Sequence, residues 1–489
     1  MKKLLFSIIL FMMFMPMFVN AESMKATDFI KKIVTDNGEN ENSINPIGNT
    51  GLSYDGTKDN NIRYIGTDPN NYIYYNCDNY LEPSNDSCEL WRIIGIFGDN
   101  IKIVRNESIG YYSYDATNLD LGTNQWGKTS NFTGASLMLE LNNEYYNNSF
   151  QQQWFNSFNG SKTNPPLVGI KNEHNRKMIE EYNWITTRVN RPASLSTIYD
   201  YYNDERGNID APLEDGQDLI ERSNIWTGKI GLMYQSDAVF SCSGSSNYSR
   251  MECISRINES NWNSYTSSGV YMIGECTKNS WIFGVTDDSF NTWNDPQWEW
   301  ALSPAPYNNY SVTDIRPYGY LGSDGAARGK RVRPALYLLD SINYISGDGT
   351  KDNPYIFDYN NSVSIIDNNE LLGAIRFNRE DFSSYRYGEK VVIKIEPKNG
   401  YEIKSIDIFD KLNNKIEFKK ISSDEYEFIM PDSDVVITPV YRKIELINVP
   451  DILKNPNTGS GISIIILFML IISSITYITM KRKKINYFK

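Results

Sequence analysis

The chain has 489 residues, 60 of them acidic against 48 Lys or Arg, one histidine and a formal charge of −12. That balance argues against nucleic acid or anionic lipid as a partner, because both are gripped by clustered Lys and Arg. A single His and five Cys with no C-x-x-C pair likewise argue against a structural zinc site.

In chain order, Lys2 and Lys3 precede an apolar stretch at 4–19 that ends in Val19-Asn20-Ala21. This predicts a secretory signal peptide over 1–21. Phe29, Ile30, Ile33 and Val34 recur at helical spacing within 24–36, with Gly38 placed to end the helix. The Asn/Gly-rich stretch 37–61 reads as a linker, so 22–58 is set apart as a short helix and linker. From Arg63 the texture turns β-branched and aromatic. Strand 90–97, the turn Gly98-Asp99-Asn100 and strand 101–105 form a hairpin pattern. Helical patterns follow at 135–146 and 172–186, and strands at 229–234, 298–302 and 331–339. Residues 305–327, rich in Pro, Asn, Tyr, Gly and Ser, read as a loop. Strands at both ends with helices between predict an α+β domain over 59–358. Residues 359–445 alternate in short strands without a helical period and predict a small all-β module.

A polar spacer at 446–458 leads into Asn455-Pro456-Asn457-Thr458-Gly459, an apolar run at 462–480 and Lys481-Arg482-Lys483-Lys484. The run is long enough to cross a bilayer core of ~30 Å at ~1.5 Å per residue. The basic cluster suits the cytoplasmic face. The order resembles a Gram-positive cell-wall sorting signal, with Asn455 where the commonest signals have Leu. The resemblance implies that a sortase cuts between Thr458 and Gly459 and joins the chain to peptidoglycan. The rival is a permanent membrane anchor; either places the body outside the cell. Without 1–21 and 459–489 the body keeps 41 Lys or Arg and all 60 acids, a charge near −19.

Outside the membrane disulfides are permitted. Cys77 and Cys88 bracket a turn-rich stretch that a bridge would staple. Cys253 and Cys276 would close a second loop, leaving Cys242 odd.

Tyr64-Ile65-Gly66-Thr67-Asp68-Pro69, Leu90-Trp91-Arg92-Ile93-Ile94-Gly95, Trp226-Thr227-Gly228-Lys229-Ile230-Gly231, Trp300-Ala301-Leu302-Ser303-Pro304 and Val332-Arg333-Pro334-Ala335-Leu336 occur in this order. Together they resemble a family of exported Firmicute surface proteins, and imply a C-type-lectin-like (sulfatase-modifying-factor-like) domain. Farther on, Pro397-Lys398-Asn399-Gly400-Tyr401 and Phe428-Ile429-Met430-Pro431-Asp432-Ser433-Asp434-Val435 resemble the repeat modules that Gram-positive surface proteins use as spacers.

Chemistry is sparse. His174, on the polar side of its helical pattern, reads as an exposed surface residue, and no G-x-S-x-G elbow accompanies it. Pairs such as Glu180-Glu181, Asp204-Glu205 and Asp287-Asp288 fit a glycosidase but abound in any acidic chain. Trp293-Asn294-Asp295 matches a C-type-lectin calcium motif, which makes Asn294 and Asp295 the candidate calcium ligands. No other cofactor is implied. The aromatic load points to binding. Trp281, Trp293 and Trp298, with Tyr307, Tyr310, Tyr318 and Tyr320, are the candidate ligand contacts, since rings offer apolar area at low entropy cost. Trp298 and Trp300 alternate on a strand, so at least one ring belongs to the core. The sequence therefore predicts an anchored extracellular binding protein, adhesin-like, recognising a glycan or protein through loops near 280–325. A carbohydrate hydrolase with paired carboxylates and a purely structural wall protein are the rivals.

Overall fold

The computed structural model describes residues 24–36, 51–115, 135–149, 168–186, 198–206, 225–255, 263–265, 271–273, 276, 279–283, 298–305, 310–316, 320–366, 372–378 and 384–445. They are a mixture of α and β structure dominated by sheet. One unit comprises Met1–Ile365, Phe377–Lys394 and Ile408–Ile437, and the other Ile366–Arg376, Ile395–Asp407 and Thr438–Lys489.

The first unit begins with α1 (Ala26–Asp36), β1 (Leu52–Tyr54), β2 (Ile62–Tyr64), β3 (Tyr72–Tyr75), β4 (Glu89–Phe97), β5 (Asn100–Arg105) and β6 (Tyr111–Ser113). Next come α2 (Ser136–Glu140), continued by a π-helical turn to Tyr145, then α3 (Glu173–Lys177), β7 (Tyr182–Ile185), α4 (Ile198–Glu205), β8 (Ile225–Gly228) and β9 (Ile230–Gly231). After α5 (Gln235–Phe240), α6 (Arg250–Ser255) and the ribbon of β10 (Asn263–Tyr265) and β11 (Tyr271–Ile273), the elements of the described residues are strands. These strands are β12 (Glu299–Pro304), β13 (Ser311–Arg316), β14 (Tyr320–Gly325), β15 (Gly329–Arg331), β16 (Ala335–Leu338), β17 (Asn343–Ser346), β18 (Tyr355–Asp358) and β19 (Asn360–Ile365). The remainder are β20 (Gly373–Phe377), β21 (Ser384–Arg386), β22 (Lys390–Pro397), β23 (Tyr401–Asp410), β24 (Phe418–Lys420), β25 (Glu425–Ile429) and β26 (Val435–Lys443).

The nine-stranded sheet runs β17-β18-β3-β4-β5-β16-β9, with β2 also on β4 and β1 on β2. Its centre is the β4–β5 hairpin. Phe97 faces Asn100, so only Gly98 and Asp99 turn the chain, and Gly98 takes φ +62°, where a side chain would be strained. Ile93 faces Ile103 but Gly95 faces Lys102, so Ile94 is a bulge residue. Gly95 is required by close packing: a Cβ there would lie 2.0 Å from the Ile62 carbonyl oxygen. A second sheet runs β14-β13-β12-β15-β6, with β12 and β15 parallel. Within the same unit β19 lies between β21 and the start of β26, and β22 pairs β25, which pairs β24.

The predicted N-terminal helix buries Ala26, Ile30 and Val34 and stacks Phe29 on Tyr344 with ring centroids 3.6 Å apart. The Ala26 N–H donates to the Ile342 carbonyl at 2.8 Å. The linker predicted at 37–61 contains β1, and Asp55 within it is fully buried. That aspartate belongs to an ionic network: Arg63 reaches Asp55 at 2.9 Å and Asp237 at 2.6 Å, and Lys102 reaches Asp237 at 2.6 Å. Burial pushes the Lys102 amine down to about 8, although Asp237 opposes this. Burial alone would raise the Asp237 carboxyl, yet Lys102 and Arg63 hold it well below the usual range.

The helical pattern at 172–186 is cut short. Asn172 caps α3 through the Asn175 N–H, but the helix ends after Lys177 with Met178 as its C-cap. Ile179 bridges Leu338, the Glu180 N–H donates to the Tyr337 carbonyl, and 182–185 is strand. Sheet pairing outcompetes the local helical period there. The expected loop at 305–327 is largely the β13–β14 hairpin, with all of Ser311–Arg316 buried. Its polar residues are buried as partners: Asp314 accepts from Arg316 at 2.7 Å and pairs with Lys330 at 3.0 Å. Burial favours the neutral Asp314 carboxyl, but Lys330 and Arg316 hold it below the usual range.

Disulfides join Cys77 to Cys88 and Cys253 to Cys276, and Cys242 is a buried free thiol. Its sulfur and those of Cys253 and Cys276 lie within 4.8 Å of one another. Burial pushes the Cys242 thiol up to about 11.

In the second unit Arg376 pairs with Glu396 and Arg442 with Glu402, both exposed, and the Ile444 N–H donates to the Gly400 carbonyl. No helix among the described residues is long and apolar enough to cross a membrane. The predicted signal peptide at 1–21, linker at 446–458, motif at 455–459 and span at 462–480 lie outside the described residues.

Candidate functional site

A cleft of about 200 Å³ opens in the first unit where β12, β13 and the 331–333 segment meet the turn after β5. Four arginines line it: Arg92, Arg316, Arg331 and Arg333. The strand period explains part of this convergence. Arg331 and Arg333 are two residues apart in extended chain, so both reach one face. β12 runs parallel to β15, which sets Glu299 opposite Arg331 in register. Trp281, Ile282, Phe283 and Ile315 supply an apolar wall, and Glu107, Glu299, Asn106 and Ser108 the remaining polar rim.

The four guanidinium groups differ in how far they are neutralised. Arg333 is held by both oxygens of Glu299 at 2.9 Å. Arg316 is held by Asp314 and lies 3.8 Å over the Trp298 ring. Arg92 donates to Asn71 at 2.7 Å, to Tyr72 at 3.0 Å and to Asp68 at 3.2 Å, and lies 4.7 Å over Trp281. Burial depresses the Arg92 guanidinium against the pull of Tyr72 and Asp68, and the neighbouring Arg333 charge depresses it further. Arg331 pairs with no carboxylate among the described residues. Its Nε donates to the Tyr111 hydroxyl at 3.3 Å, and its terminal nitrogens have no partner there.

Of the aromatic residues expected to bind, Trp281 forms a wall of this cleft rather than an exposed ring. It is 5 % exposed, and its Nε1–H donates to the Tyr64 carbonyl at 2.9 Å. Trp298 is half-buried behind Arg316, with Lys330 4.3 Å from its ring. Trp300 is core and donates to the Tyr112 carbonyl. Tyr310 is exposed just before β13 and does not line the cleft, and Tyr320 pairs with Arg316 at the turn end of that hairpin. Trp293, Tyr307 and Tyr318, and the candidate calcium ligands Asn294 and Asp295, lie outside the described residues. The arginines were not anticipated, because they are scattered between positions 92 and 333. The legible sign was Arg331-Val332-Arg333, two like charges repeated at strand period.

A second polar cluster surrounds His174, which is 4 % exposed and not the surface residue its helical pattern suggests. Its Nε2 lies 2.9 Å from Asp358 and its Nδ1 2.8 Å from Asp432, whose carboxylate also takes Lys177 at 2.9 Å and the Tyr359 hydroxyl. Burial alone would lower the imidazole, but the two aspartates outweigh it and push it up to about 9. Every polar atom of the ring is thus committed, so the cluster joins chain segments and offers no free base.

No family model matches the chain, and neither a curated protein nor a solved structure matches it.

Proposed function

We propose that the protein is exported, anchored at its C-terminal end to the wall or membrane of a Gram-positive cell, and binds a glycan or protein ligand through the arginine-lined cleft. In this reading the first part of the chain is a C-type-lectin-like domain, residues 359–445 are a spacer, and a sortase acts at Thr458. The observation that carries the binding reading is the cleft itself. A tryptophan wall, an apolar floor and several donors converge in one concavity, the composition of sites that hold polar ligands with apolar faces. A glycan and protein array screened with the full chain, with calcium and with chelator, tests it. Hits weakened by Trp281→Phe together with Arg316→Gln support the cleft. Hits untouched by these changes would place the ligand elsewhere, and calcium-dependent sugar hits lost with Asn294→Ala would favour the calcium motif instead.

Glu107 and Glu299 line the same cleft, which is the observation in favour of a hydrolase. Glu299, however, gives both oxygens to Arg333, which leaves neither free to protonate a leaving group. Release of reducing ends from a bound glycan, abolished in Glu107→Gln, would reverse the order of the two readings.

A further inference from the structure

The charge in the cleft runs against that of the chain. In a protein of net charge −12, four arginines face two glutamates across about 200 Å³. Two of the arginines are cancelled by structure: Arg333 by Glu299 and Arg316 by Asp314. Arg92 has only Asp68, a carboxylate 67 % exposed and therefore well screened. Arg331 has none among the described residues, and its terminal nitrogens point their donors at no protein acceptor there. The apolar wall of Trp281, Ile282, Phe283 and Ile315 limits water on one side, which strengthens charge interactions inside. A guanidinium with a free fork is shaped to take an oxyanion in two parallel hydrogen bonds. The volume is below the ~300–1,000 Å³ of pockets for drug-sized ligands, so it suits one headgroup or one sugar unit.

We infer that the cleft recognises an acidic sugar, whose carboxylate or sulfate ester is held by Arg331 beside Arg92. This deepens the binding reading above and rests on it. Arg331 is the anchor and Arg92 a fixed second charge, while Ser108 is engaged by Gly110 and Val332 and Asn106 by Glu107 at the rim. The anion relieves the mutual repulsion of Arg92 and Arg333, so association weakens as salt rises.

The test is calorimetric titration of the full chain with three tetrasaccharides of one backbone: one bearing glucuronic acid, its carboxyl-reduced neutral analogue, and a sulfated analogue. Inorganic sulfate serves as the free-anion control. The wild type is expected to bind a charged form at least ~10-fold more tightly than the neutral one, as a charge-assisted hydrogen bond gives. Arg331→Gln is expected to remove that preference and Arg331→Lys to restore part of it, with unchanged thermal midpoints. The carboxylated and sulfated arms then identify which oxyanion is the ligand. Equal affinity for charged and neutral forms, or an Arg331→Gln variant with wild-type preference, overturns the inference while leaving the cleft as a sugar site. Inorganic sulfate binding as tightly as the sulfated sugar overturns the sugar component. Binding of none of the three oligosaccharides overturns the inference and, if the array locates a ligand away from Trp281 and Arg316, the cleft reading as well.

Discussion

Asp358 and Asp432, 74 positions apart in the chain, hold the two nitrogens of one imidazole, His174 Nε2 at 2.9 Å and Nδ1 at 2.8 Å. The folded imidazole titrates near 9, above its ordinary value of 6.5. A raised histidine stabilises the fold fully below about pH 6.5, and that contribution is lost as pH climbs through about 9. The loss amounts to roughly 3 kcal/mol at most. Thermal unfolding between pH 6 and 9.5 should therefore show a falling midpoint in the wild type and a flatter profile in His174→Gln. Parallel profiles would show that the charged imidazole contributes nothing.

Asp237 receives Lys102 and Arg63 in a fully buried place. Removing one member strands the others, which costs about 3–5 kcal/mol. Asp237→Asn should lower denaturant resistance by that order, and adding Lys102→Met should recover part of it. A double variant no better than the single would mean that the pair is not coupled.

Five cysteines with two bridges leave one thiol. Protein made under oxidising conditions and denatured without reductant should therefore give one thiol equivalent, and peptide mapping should place it at Cys242. Exchange of Cys77 and Cys88 for serine should cost about 3 kcal/mol, the chain-entropy value for a loop of this length. Three or more thiols in the denatured protein would show that a bridge is missing.

For the anchoring proposal, Thr458→Ala should move the protein from the wall fraction to the membrane fraction. Undiminished linkage to peptidoglycan in that variant would rule out processing at this threonine.

Local chemistry was the legible part of the sequence. The β4–β5 hairpin shows in its alternation and in Gly98-Asp99, and α1 in the spacing of Phe29, Ile30, Ile33 and Val34. Trp281, expected as a ligand contact, lies 5 % exposed in the wall of the cleft. Partners distant in sequence stayed hidden. His174 looked exposed because its two aspartates lie 184 and 258 residues away. The β13–β14 hairpin reads as loop because 305–327 is rich in Pro, Asn, Tyr, Gly and Ser, and only the folded chain reveals Asp314 buried against Arg316 and Lys330. The cleft itself joins Arg331 and Arg333 to Arg92 and Arg316 from two other strands, which no single stretch of sequence displays.

Strand β18 ends at Asp358 and runs parallel to β3, Tyr355 opposite Ile73 and Ile356 opposite Tyr74, with β17 antiparallel on its other edge. Asp358 ends that strand and Asp432 lies 74 positions further on, yet both hold His174, so the chain leaving β18 is clamped to α3 inside one compact unit and forms no hinge at Tyr359.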